Sequence, residues 1–164
     1  MTDFYGKYRG TVMRNDDPDG RGRVQVTVPA VFDDQLPGWA EACTPYAGDG
    51  VGLFTVPPVG AAVWVEFEGG DPDFPILAGC FWDEGQTAPG TGKPATKVLK
   101  SDGISLTLED GSDGGLTIEV GSPAVSVSMR IACTGDGIEL SIGSSKVLLS
   151  NSSVSINDGA LEVT

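Results

Sequence analysis

The stretch from Ser101 to Thr164 carries apolar residues that a single chain of this length has no means to keep dry. Ile104–Leu108, Leu116–Val120, Val125–Met129, Ile138–Ile142, Val154–Ile156 and Leu161–Val163 each alternate an aliphatic side chain with Ser, Thr or Glu. Side chains on a strand point to opposite faces in turn, so each run describes a strand with one dry face and one wet face. Glycine-rich breaks such as Asp110–Gly115 and Thr134–Gly137 separate the runs. Each stripe residue, fully buried, would contribute roughly 1.5–3 kcal/mol. A flat set of hairpins without a second layer is marginal in water. One solution is a single-chain solenoid, which wants repeats of near-constant length. The runs start at Ile104, Leu116, Val125, Ile138, Val147, Val154 and Leu161, too unevenly for that. The other solution wraps three chains about a common axis. The expected trimer core is Ile104, Leu106, Leu108, Leu116, Ile118, Val120, Val125, Val127, Ile138, Leu140, Ile142, Val154 and Ile156, with Leu161 and Val163 at the tip.

The aromatic residues divide the chain. All twelve Phe, Tyr and Trp lie between Phe4 and Trp82. Aromatic side chains supply the large apolar areas of a compact core, so residues 1–82 are expected to form a globular domain. The Gly-, Thr- and Pro-rich segment from Asp83 reads as linker up to residue 100, and 101–164 as the striped spike. Gly 24 and Pro 11 in 164 residues, with no amphipathic helical stretch, make the class all-β.

Within the first part, Phe4–Arg14 reads as a strand with Gly10 as a bulge, and Asn15–Gly20 as a turn. Arg21–Pro29 alternates Val24, Val26 and Val28 with polar residues. Trp39–Tyr46, Val51–Val56, Ala61–Glu68 and Pro75–Trp82 complete five or six strands, which suits a small barrel better than a sandwich.

Several of these segments recur in a known order. Arg9–Val12, Asp17–Val26, Pro57–Gly60 followed by Val63–Phe67, then Gly70–Pro75 and Leu77–Gly79, resemble the OB-fold domain of the phage baseplate assembly protein V family. The family comprises central spikes of contractile tails, and the VgrG proteins of type VI secretion carry the same domain. The resemblance implies an N-terminal OB-fold barrel followed by an intertwined trimeric triple-stranded β-helix. It also implies a structural role: OB domains docked on a baseplate hub protein, and a β-helix that pierces the target envelope with transient membrane contact. Asn157–Thr164 holds no tip motif, so a separate PAAR-type tip protein is expected to cap Leu161 and Val163.

Several remaining motifs border on known chemistry. The chain has no histidine, which excludes Ser-His-Asp and Cys-His catalysis and histidine-bearing zinc sites. Asn15, Asp17, Asp19 and Gly20 mimic the start of a calcium loop, but Val26 stands at its twelfth position, and a turn is the better reading. Gly90–Lys93 fails as a phosphate loop because Pro94 replaces the hydroxyl residue. Glu66/Glu68 and Asp71/Asp73 sit beside turns, where solvated carboxylates are routine. Cys43, Cys80 and Cys133 have neither disulfide nor zinc spacing, and the apolar contexts of Cys43 and Cys80 read as those of small buried thiols in a reducing cytoplasm. The expectation is no enzyme, no cofactor, no metal and no nucleic acid, since a formal charge of −13 repels phosphate backbones. The particle, assembled in the cytoplasm, would be a phage tail, a tailocin or another contractile injection device. Two other functions stay open on the residues alone: a trimeric tailspike that degrades polysaccharide, and an oligonucleotide-binding OB module.

Overall fold

The computed structural model describes residues 3–33, 35–90 and 92–163. Thr91, in the rejected phosphate loop, and Thr164, at the end of the tip segment, lie outside them. The chain divides into two compact units, Met1–Gln86 and Thr87–Thr164.

The first unit is built on β1 (Tyr8–Arg14), β2 (Gln25–Thr27), β3 (Glu41–Ala42), the short hairpin β4 (Ala47–Gly48) and β5 (Val51–Gly52), β6 (Ala62–Phe67) and β7 (Pro75–Cys80). Its main sheet runs β2-β1-β6-β7-β3. The β3–β7 pair is parallel and the other pairs are antiparallel. Val24 and Ala40 then exchange two backbone hydrogen bonds at 3.2 and 2.8 Å, which joins the two ends of that order into a ring. Five strands closed in this connectivity are the OB barrel. Closure also removes the free edges that a small acidic sheet would expose.

The alternation in Arg21–Pro29 explains the core. Val24, Val26 and Val28 are fully buried, and Val12, Val63 and Val65 meet them with no exposed surface. Phe4, Tyr8 and Phe32 pack their rings around Phe67 at 5.6–6.1 Å between centroids. A one-turn helix, α1 (Pro29–Phe32), follows β2 where the expected strand stops at Pro29. It carries Phe32 to Phe67.

Four expectations for this unit are corrected. Cys43 and Cys80, expected as buried thiols, are exposed, because they fall where β3 and β7 end. The bulge lies between Val12 and Arg14, not at Gly10. Gly10 is required for another reason: a β-carbon there would stand 2.7 Å from the Thr27 carbonyl oxygen. Val51–Val56 is no barrel strand, since only Val51–Gly52 pairs, and with the local partner Ala47–Gly48. Trp39–Tyr46 contributes only Glu41–Ala42 and the Ala40 bridge.

The turn between β1 and β2 is organised by one carboxylate. Asp17, with its side chain 3% exposed, accepts backbone N–H bonds from Asp19, Arg21 and Arg23 at 2.9–3.2 Å. The Arg23 guanidinium donates to both Asp17 oxygens and to Asp19, and its carbon lies 5.8 Å from the Trp39 ring centre. The bonds from Arg23 first, and the backbone donors after them, hold Asp17 well below the usual carboxylate range against the opposing effect of burial. These bonds occupy the residue that the calcium-loop reading would have made a ligand.

The second unit is one antiparallel meander: β8 (Thr96–Lys100), β9 (Ile104–Glu109), β10 (Gly115–Val120), β11 (Met129–Thr134), β12 (Gly137–Ile142), β13 (Ser145–Leu149), β14 (Val154–Ile156) and β15 (Leu161–Val163), each paired to the next. Two readings change here. Thr96–Lys100, expected as the end of the linker, is a strand of this sheet; its Val98 and Leu99 are adjacent and give no alternation to find. Val125–Met129, expected as a strand, is connection up to Ser128, and the strand begins at Met129. The alternation runs on past Met129 to Ile131, with Ala132 its first departure, so it could not show which part pairs.

Glycine is obligatory where the sheet turns. A β-carbon at Gly137 (φ +135°) would fall 2.1 Å from the Leu149 carbonyl oxygen. Gly137→Ala is therefore expected to destabilise the second unit by about 2 kcal/mol or more, lowering the circular-dichroism melt. Tryptophan fluorescence should stay unchanged, because Trp39, Trp64 and Trp82 all lie in the first unit.

A second expectation concerns acid. Because the folded Asp17 is depressed, its contribution is fully present above the ordinary value near 3.8 and is lost as the pH falls below it. Asp17→Asn should lower the fluorescence-monitored melting point at pH 7 more than Asp19→Asn does. The gap between wild type and Asp17→Asn should narrow between pH 4 and pH 2.

Candidate assembly surface

Directly opposed residues of an antiparallel pair share a face, so the register of the meander sorts its side chains. Leu99 opposes Leu106, and the same line continues through Ile118, Ile131, Leu140, Val147, Ile156 and Leu161. This central row is apolar across all eight strands. A second row follows Lys97, Leu108, Leu116, Cys133, Ile138, Leu149, Val154 and Val163. A third follows Ile104, Val120, Met129, Ile142 and Ser145. All three lie on one face.

The face is uncovered in the single chain. Leu140 is 50% exposed and Ile142 54%. Among the described residues of this unit, Ala132 alone reaches full burial, at 2%, and it lies on the opposite face between Thr117 and Glu139. The contrast with the valine core of the barrel is complete. This unit has ladders and no interior.

The opposite face is built for water. The Arg130 guanidinium stands 3.1 Å from Glu139 and 3.8 Å from Glu119, across β10, β11 and β12. Ser141 donates to Glu139 at 3.3 Å. Lys146 pairs with Asp158 at 2.6 Å, and that bond is the first cause of its raised pKa. Lys97, by contrast, belongs to the second row of the apolar face and pairs with Asp110. The acidic pairs weighed as catalytic are engaged in local structure: Glu66 accepts from Lys7, and Asp71 accepts the N–H of Asp73 at 3.0 Å to close a turn.

Eleven of the thirteen residues expected in the trimer core lie on strands of this face: three each on β9, β10 and β12, and two on β14. Val125 and Val127 lie instead in the 121–128 connection. Leu161 and Val163 are on β15 and exposed. Ile131, Cys133, Leu99, Met129, Val147 and Leu149, also on these rows, were not among the thirteen. The first two continue the alternation beyond Met129, whereas Leu99 had no periodic signal.

The division into an OB barrel and a one-sided meander has a counterpart among known proteins. Residues 8–82 match the model of the type VI secretion system/phage-baseplate injector OB domain. Residues 96–162 match the phage baseplate V C-terminal trimerisation domain. The chain belongs to the baseplate V, VgrG-like spike family. It is also 33% identical over 87 residues to the type VI secretion system spike protein VgrG4b of Pseudomonas aeruginosa. That alignment covers 53% of this chain and 9% of the relative, so the chain spans a small part of that protein's length. The family is a structural one of phage tails and injection apparatus, and its trimerisation domain falls on the face with no cover of its own.

The two faces should respond differently to substitution. Arg130→Ala removes partly exposed pairs and is expected to cost about 1 kcal/mol or less. A thermal melt followed by circular dichroism checks that value.

Proposed function

We propose that this chain is the structural, non-catalytic central spike of a contractile tail or injection particle, with three copies burying their striped faces on a common axis. The observation that carries the reading is the three-row apolar face, left open in a unit that matches a trimerisation domain. Its size is adequate. Eight strands of three to six residues give a face of roughly 17 by 35 Å, near 600 Å², at the lower end of the ~600–1,000 Å² per partner of a stable interface. The eleven stripe positions on strands from Ile104 to Ile156, with Leu99, Met129, Ile131, Cys133, Val147 and Leu149 added, form this buried core. The domain reading follows: a barrel over 1–82, a connection, and a spike whose sheet starts at Thr96 in place of residue 101.

The barrels dock on the hub, and the spike transmits the thrust of contraction to the target envelope. Stiffness is all that this role demands of the chain. Leu161 and Val163 present apolar surface on the last strand and offer a seat for a PAAR-type tip protein. Assembly takes place in the cytoplasm. The acidic surface opposes the oligonucleotide-binding alternative even though the OB barrel permits it, because fold alone does not confer function.

Light scattering tests the core of this reading. A mass near three times 16.9 kDa is expected. Leu140→Glu should reduce it to the monomer mass by placing three charges in the dry core, while tryptophan fluorescence still reports a folded barrel. A monomeric wild type would overturn the proposal.

A further inference from the structure

Val51–Val56 has the composition of a strand, yet only its first two residues find a partner. Leu53 donates its N–H to the Tyr46 carbonyl at 2.8 Å and accepts the Thr44 hydroxyl at 3.0 Å, which ties the segment to the hairpin on that side. From Leu53 to Pro58 the chain makes no turn or bend. Among the described residues, the backbone N–H and C=O groups of Phe54, Thr55 and Val56 make no hydrogen bond. Neighbouring residues of an extended segment direct their backbone groups to opposite edges. Leu53 uses the edge that faces Tyr46 and Thr44, so Phe54 and Val56 turn theirs to the other. Pro57 and Pro58 end the run, since neither can donate.

The side chains around this segment are apolar and open. Tyr46 is 61% exposed and Phe54 70%, while Val51 and Leu53 are about half exposed. A β-carbon at Gly22 would stand 2.9 Å from the Phe54 ring, which places the ring against the chain entering β2. Arg21, Gly22, Cys43, Tyr46, Leu53 and Phe54 line a groove of about 620 Å³. Charged residues make up 20% of the whole chain, yet Asp49 is the sole charge from Ala42 to Pro58. Arg21, at the rim, is held by Glu41 at 2.9 Å. The segment is thus a neutral island on an acidic surface. Exposed aromatics with charge depleted around them are the composition of an interface core.

We infer that Leu53–Val56 is an open β-edge outside the closed barrel, and that it takes an extended, uncharged segment of another protein as an added strand alongside Phe54 and Val56. Strand addition supplies what the segment lacks. Main-chain hydrogen bonds give the affinity, and the groove selects the side chains. Tyr46, Val51, Leu53 and Phe54 together expose on the order of 400 Å². That is below the ~600–1,000 Å² per partner of a stable interface, so the patch does not by itself hold two globular surfaces together, a second copy of this chain included. An extended segment needs less area, because backbone bonds supplement the contact. Neutrality fixes the partner's character: the acidity of the rest of the surface would draw a basic segment elsewhere, whereas this groove rewards apolar side chains. The edge belongs to the barrel and does not depend on how the second unit assembles.

A random peptide library screened against the full chain tests the inference. Recovered peptides should alternate apolar side chains, and their affinity should change little between about 0.05 and 0.5 M salt. Methylating the peptide nitrogens that face the edge should weaken binding about tenfold or more. Phe54→Ser should weaken it about as much, and Tyr46→Ser serves if the first variant loses the tryptophan fluorescence of the folded barrel. Recovery of no peptide, or of basic peptides whose binding fades with salt, would overturn the inference. So would peptides indifferent to backbone methylation, which bind through side chains alone. A mass in solution that falls on Phe54→Ser, with no peptide present, would seat a second copy on the edge and overturn it as well.

Discussion

A β-sheet one layer thick can satisfy all its backbone hydrogen bonds and still have nowhere to put its apolar side chains. The meander after residue 96 is in that position. Its ladders are continuous from β8 to β15, yet Leu140 and Ile142 remain half exposed. Backbone pairing contributes little net stability once water is counted as the competitor, so the fate of the aliphatic face decides whether the unit is stable. The barrel solves the same problem within one chain, by closing its sheet through Val24 and Ala40 so that the valines of one wall face those of the other. The second unit, which matches a trimerisation domain, leaves that face open within one chain. One sequence thus holds one sheet dried within the chain and one left open.

The polar side chains fall into line with this division. In the barrel, the nearly buried Asp17 is given three backbone donors and a guanidinium, and the turn it holds keeps β1 and β2 in register. In the spike, the charges sit opposite the aliphatic rows, with Arg130 shared between two carboxylates. Those exposed pairs contribute little energy. Their effect is to keep the second face wet, so that only one face can be buried. The acidic balance adds repulsion against unwanted strand pairing, which an exposed sheet otherwise invites.

Most of the fold was legible because its signals were periodic. Val24, Val26 and Val28 announced a buried strand, and the runs from Ile104 to Ile142 announced one dry face. Errors arose where period and pairing came apart. Val125–Ile131 alternates without interruption, so the sequence contained no mark showing that pairing starts at Met129. Thr96–Lys100 has no alternation and pairs nonetheless, because β9 offers it a ladder. Val51–Val56 looked like a barrel strand, but its neighbour Ala47–Gly48 captured its first two residues in a local hairpin.

By itself, the sequence determined that the chain is all-β, that its aromatic core lies before Asp83, and that its second half carries a dry face with no aromatic core to cover it. Those properties follow from composition and from a period of two, which are local. The tertiary structure decided the closure of the barrel, the complete intrachain meander and the sorting of one stripe into three unequal rows. Rows depend on register, and register is a relation between strands distant in the chain, set by glycine turns such as that at Gly137 and by the partner each strand finds. Alternation could say that Ile131 and Leu140 each had a dry side. Only the paired sheet put them next to each other on an unbroken line.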